Sequence, residues 1–207
     1  MEIILAANTL EEAKRYAGKL SICKVGLPLI TEVGSRAALE VAEMGYQVLY
    51  DGKFLDIPSV VAEAVRWIPY CVWGFTIHVD GDVEMLQAAK EAAQPGLKMF
   101  GVLRLTSLPP YPTDFESKLA VCKGFVDGVV CPVAEVGYVK REAPYLSTLC
   151  PGLRFGQAPV DDQWQVATFK EAAESQADYL IVGRPLTRAR DPDEALAAIG
   201  HALYRQF

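Results

Sequence analysis

Asparagine is almost missing from this chain: Asn8 is the only one in 207 residues. Histidine occurs twice, at His78 and His201. That leaves little material for a zinc site, which draws on His and Cys at close spacing. The five cysteines, Cys23, Cys71, Cys122, Cys131 and Cys150, form no C-x-x-C pair. Most lie in apolar, strand-like stretches and read as reduced core residues. A long uncharged run is also lacking. The longest stretch without Asp, Glu, Lys or Arg is 67–79, thirteen residues. A spanning helix needs about 20, so this segment reads as buried in a globular core rather than in a membrane. No basic n-region or cleavage site precedes Glu2-Ile3-Ile4-Leu5, which argues against a signal peptide and for a cytoplasmic protein.

Positive charge is the scarcer sign. Lys and Arg number 20 against 26 acids, a net charge of −6. A duplex-binding protein needs a basic face to neutralise phosphates, so nucleic acid is not the expected partner. With 51% hydrophobic and 22% charged residues the chain is too apolar to be disordered. Its length suits one domain, residues 1–207, able to bury roughly 70% of its unfolded surface without a disulfide or metal staple.

Two periods alternate along the chain. Short apolar runs rich in β-branched residues predict strands over 3–7, 22–26, 47–51, 72–79, 98–103, 126–131, 147–150 and 179–182. Helical spacing follows each of them, over 10–20, 31–44, 59–67, 83–93, 114–123, 134–143, 163–176 and 192–204. Thr9 and Asp191 are placed as N-caps, and Gly18, Gly45 and Gly124 as helix ends. Strands that alternate with helices predict a parallel α/β sheet, either open and doubly wound or closed as a single-domain (β/α)8 TIM barrel. Eight units favour the barrel, at about 26 residues each. Chemistry in that fold sits at the C-terminal ends of the strands.

Charges gather there. The third strand ends in Asp51-Gly52-Lys53-Phe54-Leu55-Asp56-Ile57-Pro58. Asp51 and Lys53 are two apart and share one face of an extended chain. Lys24 lies inside the apolar second strand. Alternating charges in a semi-enclosed mouth form either an ion-pair cluster that closes the barrel or an array that holds a charged or polyhydroxyl substrate, with Lys53 as a proton donor. After the eighth strand, Gly183-Arg184-Pro185 places glycine and a guanidinium at a helix start, an anion site if it is not an ordinary turn. The Gly-rich 150–157 segment can add amides to the same anion. His78 ends the fourth strand and reads as a satisfied core or mouth histidine.

Together these segments resemble the orotidine 5′-monophosphate decarboxylase family. The carrying motif is Asp51-x-Lys53-x-x-Asp56-Ile57-Pro58, supported by Lys24-Val25-Gly26, Pro151-Gly152-Leu153-Arg154 and Val182-Gly183-Arg184-Pro185. The resemblance implies a homodimeric TIM barrel that converts orotidine 5′-monophosphate to UMP with no metal and no organic cofactor. It implies that Asp51 sits beside the substrate carboxylate, that Lys53 stabilises and protonates the C6 carbanion, and that Lys24 binds ribose and holds Asp51. Asp56 would reach across the dimer into the neighbouring site. Asn8, Ile57, Ser107, Gln157, Gly183 and Arg184 would contact substrate, the last two and Gln157 at the phosphate. Residues 109–112 and 154–162 would be closing elements.

Two positions depart from the family pattern: Asn8 stands where an Asp is usual, and Val60 where a Thr is common. Asn8 is either a ribose contact without charge or a helix cap. Two other activities compete. One is a Mg²⁺-dependent keto-sugar-phosphate decarboxylase or aldolase of the same superfamily, which Lys24 disfavours by repelling a divalent cation. The other is a non-catalytic nucleotide-binding barrel, which would have no use for Asp51 and Lys53.

Overall fold

The computed structural model describes residues 1–105, 107, 112–156 and 165–204. The strands are β1 (Glu2–Ala7), β2 (Ile22–Gly26), β3 (Gln47–Phe54), β4 (Val72–His78), β5 (Lys98–Val102), β6 (Gly128–Val130), β7 (Ser147–Cys150), the short β8 (Leu153–Arg154) and β9 (Ala167–Thr168), and β10 (Tyr179–Val182). Eight of them close into a barrel in the order β1-β10-β7-β6-β5-β4-β3-β2, with every pairing parallel. Because β1 pairs with both β2 and β10, the sheet has no open edge, and the doubly wound alternative falls away. Strands β8 and β9 pair with each other outside the barrel.

The helices are α1 (Leu10–Arg15), α2 (Leu27–Val33), α3 (Ala37–Glu43), α4 (Pro58–Arg66), α5 (Val83–Ala92), α6 (Pro112–Cys122), α7 (Val136–Glu142), α8 (Phe169–Ser175), α9 (Arg184–Thr187) and α10 (Pro192–Tyr204). Thr9 caps α1 by accepting from the Glu12 amide at 3.1 Å, and Asp191 accepts from the amides of Asp193 and Glu194 in the first turn of α10. Gly45 follows α3 with φ +94°, the left-handed conformation of a helix stop. The helix expected over 31–44 is instead two. Gly34, at φ +78°, and a 3₁₀ turn over Gly34–Arg36 divide them, although the apolar spacing runs through.

Strand alternation sorts the apolar residues into two cores. Ile4, Ile22, Leu49, Phe100, Val102, Val130, Leu149 and Ile181 fill the barrel interior. The alternate residues, such as Leu5, Cys23, Val48, Phe75 and Leu180, pack outward against the helices. Burial of each large side chain contributes roughly 1.5–3 kcal/mol. Four cysteines are buried and Cys71 is half-buried, all as free thiols. No described helix is long and apolar enough to cross a membrane.

Candidate active site

The interior rows β1 Ile4-Ala6-Asn8, β2 Ile22-Lys24, β3 Leu49-Asp51-Lys53 and β5 Phe100-Val102-Arg104 change from apolar to polar at the C-terminal ends of the strands. A cavity of about 710 Å³ opens there, within the usual range for a small-ligand site. Its wall includes Asn8, Glu12, Lys24, Asp51, Lys53, Arg104, Ser107, Arg154, Gly183, Arg184 and Arg188.

Asp51 is the hub. It is 7% exposed, one of three buried polar residues among those described; the others are Thr76 and Thr148. Its Oδ2 accepts from Lys53 Nζ at 2.7 Å and lies 3.0 Å from Lys24 Nζ. Its Oδ1 accepts from the Thr76 hydroxyl at 2.8 Å. Burial alone would push this carboxyl upward; the charges of Lys24 and Lys53 and the hydrogen bonds from Lys53 and Thr76 outweigh it and lower the group to about 2. Asp51 is therefore a carboxylate at neutral pH. Lys24 reaches it because the residue on the same face two positions on is Gly26. A β-carbon there would stand 2.5 Å from Lys24 Nζ.

A break in strand pairing places Lys53. β3 pairs with β4 in register at Tyr50↔Phe75, and pairing resumes at Phe54↔Ile77. Three residues of β3 thus stand opposite Thr76 alone. Lys53 takes up part of the excess by adopting φ +48°, unusual for a residue with a β-carbon. β3 consequently runs on to Phe54, beyond the predicted end at 51.

The other predicted residues divide into three groups. Asn8, Ser107, Gly183 and Arg184 line the cavity with the charged array. Asn8 is not the cap of α1, since Thr9 is; its amide N–H donates to Glu12 Oε2 at 2.7 Å. Asp56 and Ile57 are exposed and stand outside this cavity wall. The Asp56 carboxylate accepts from the Ile57 amide, and Ile57 is 61% exposed at the start of α4. Gln157 lies outside the described residues, as do parts of the 109–112 and 154–162 segments. His78 is partly buried beside Asp80, at 3.3 Å. Asp80 also pairs with Lys118, which pairs in turn with Asp114. These ties join the end of β4 to α6.

Sequence reasoning missed Thr76, Glu12 and Arg104, and it read Arg154 only as part of a loop motif. Arg104 had a usable signal: it extends the alternation Phe100, Val102 by one step. Glu12 had a weaker one, as the first-turn acid of a capped helix. Thr76 had none, because its role depends on how a different strand pairs with it.

A closed (β/α)8 barrel whose mouth gathers this array of charge belongs to the TIM-barrel enzymes, which carry their chemistry at this end of the sheet. More narrowly, residues 3–199 match the model of the Orotidine 5′-phosphate decarboxylase / HUMPS family, and the chain belongs to that family. An orotidine 5′-phosphate decarboxylase of Dichelobacter nodosus is 38% identical over 205 residues, covering 90% of this chain and 89% of that one. One from Pseudomonas putida is 33% identical, covering 95% and 94%. Among solved structures, the orotidine 5′-phosphate decarboxylase of Lactobacillus acidophilus superposes with a TM-score of 0.81 at 24% identity, covering 98% of this chain and 99% of its own. The orotidine 5′-monophosphate decarboxylase of Methanocaldococcus jannaschii, complexed with the inhibitor BMP, also gives 0.81, at 19% identity and 99% coverage of both chains. These superpositions establish the shared barrel.

Proposed function

We propose that this protein decarboxylates orotidine 5′-monophosphate to UMP in pyrimidine biosynthesis, as a single barrel domain in the cytoplasm. The observation that carries the reading is the Lys24–Asp51–Lys53 array, held in a cavity that also presents arginines. The C6–carboxylate bond breaks heterolytically, CO₂ leaves, and the electron pair stays on C6 in the ring plane. No adjacent group delocalises it, so nearby positive charge is the main stabiliser. Lys53 supplies that charge from a fixed position and donates a proton to C6. Asp51, held ionised, stands beside the substrate carboxylate and disfavours the bound ground state over the product-like transition state. Lys24 fixes Asp51 and contacts ribose, as does Asn8, and Ile57 contacts substrate. Ser107 bonds the pyrimidine, and Gly183, Arg184 and Gln157 hold the phosphate. Binding at the phosphate, remote from C6, contributes energy for alignment.

The working unit is a homodimer in which Asp56 completes the neighbouring site. Its exposure beside exposed Leu55, Ile57 and Val60 supports that reading. The decisive test is the ultraviolet absorbance change of orotidine 5′-monophosphate at micromolar enzyme, with and without EDTA. Turnover that persists with EDTA is expected. An absence of turnover overturns the reading, and loss on chelation points to the Mg²⁺-dependent chemistry instead. Mixing Lys53→Ala with Asp56→Ala subunits tests the dimer: one native site per mixed dimer forms, so activity returns on mixing.

A further inference from the structure

The break in the β3–β4 ladder leaves the Lys53 amide to be satisfied by something other than strand pairing, and the buried Asp51 carboxylate beside it also needs donors. One side chain serves both. The Lys53 amide N–H donates to Thr76 Oγ1 at 3.0 Å, and the Thr76 hydroxyl donates to Asp51 Oδ1 at 2.8 Å. Thr76 is 1% exposed, so its hydroxyl is shielded from bulk solvent. A hydroxyl has one proton. Since Oγ1 accepts from Lys53, that proton is committed to Asp51, and the direction of the chain is fixed. The carboxylate is thereby held from both ends: Thr76 on Oδ1, and Lys53 and Lys24 on Oδ2.

We propose that Thr76 is a positioning residue for the reaction: its hydroxyl fixes the rotation of the Asp51 carboxylate and the left-handed backbone of Lys53, so that both groups meet C6 and its carboxylate in a set geometry. Thr76 touches no reacting atom. It acts through the two residues that do. The proposal rests on the decarboxylation reading for its kinetic consequence, while the hydrogen-bond chain stands apart from any substrate.

Three variants separate the hydroxyl from the packing. Thr76→Val keeps the shape and removes the hydroxyl. Thr76→Ser keeps the hydroxyl and removes a methyl. Thr76→Ala replaces the valine variant if that one does not fold. The expected result for Thr76→Val is a loss of about 10- to 100-fold in kcat with KM within about threefold, the mark of misplacement rather than weaker binding. Thr76→Ser restores kcat to within about threefold of wild type. A hydroxyl-free variant with wild-type kcat overturns the proposal, and so does a serine variant that loses as much as the valine variant. A second readout needs no substrate. The titration of the Asp51 carboxyl, followed by carbon NMR, moves upward in Thr76→Val and not in Thr76→Ser. Lys24 on β2, Lys53 on β3 and Arg104 in the cavity wall remain in both variants, so the hydroxyl is the only donor changed. If the wild type lacks turnover, the decarboxylation reading fails and this titration still decides on Thr76. An unchanged titration in Thr76→Val overturns the proposal either way.

Discussion

Two aspartates at opposite ends of the barrel are built from the same parts. At the mouth, Asp51 is held by Lys53, Lys24 and Thr76. At the base, just before β10, Asp178 accepts from Lys140 Nζ, from the Thr148 amide at 2.7 Å and from the Thr148 hydroxyl at 3.0 Å. The threonines even work alike. The Thr148 hydroxyl accepts from the Asp178 amide and donates to its carboxylate, as Thr76 accepts from Lys53 and donates to Asp51. In both, burial raises the carboxyl and lysine and threonine contacts outweigh it, so both are lowered. An Asp–Lys–Thr cluster therefore does not make a site by itself. At the base a single lysine balances the aspartate, and Lys140 also donates to the Leu146 carbonyl. The cluster ties β7, β10 and α7 together. At the mouth, two lysines serve one aspartate beside an open cavity, leaving positive charge that faces the cavity.

Substitutions sharpen the contrast. The largest effect is expected from Lys53→Ala, a fall in kcat of at least about 10³-fold with little change in unfolding midpoint. Turnover near wild type in that variant would erase the difference between the two clusters. Asp178→Ala is expected to do the opposite. It strands the Thr148 donors and lowers stability by about 1–3 kcal/mol in urea unfolding, with kcat within about twofold. Acid comes next. Both carboxyls lie below their ordinary value of 3.8, Asp51 at about 2. Their stabilisation is complete above the unfolded value and is lost as pH falls through the folded one. Stability should therefore fall from about pH 4 towards pH 2, and less steeply in Asp178→Asn than in wild type. A slope unchanged by Asp178→Asn would remove the base cluster from this account. The smallest effect is expected from Asn8→Asp: kcat/KM unchanged within about threefold, or raised. A large loss there would mean that Asn8 does more than replace an aspartate.

Most of the fold was legible because each strand carries its own signal. The bounds of β2, β7 and β10 follow from short strand-like runs, and those of α10 from Asp191 and Pro192. The failures arose where a second element decides. Gly34 divides one periodic stretch into α2 and α3 by a backbone turn that leaves the apolar spacing unaltered. β3 extends three residues past its expected end because β4 meets it again only at Phe54. The site follows the same rule. Lys24, Asp51 and Lys53 announce themselves as charges in apolar strands. Thr76 is an ordinary strand residue until the register opposite it slips.

The filled interior of the barrel has a consequence for traffic. Below the charges, eight apolar side chains seal the tube, and Trp73 and Tyr179 pack against them towards the base. Among the described residues the tube is closed below and open above. Whatever reaches the charged array therefore enters past the rim of the mouth and leaves the same way.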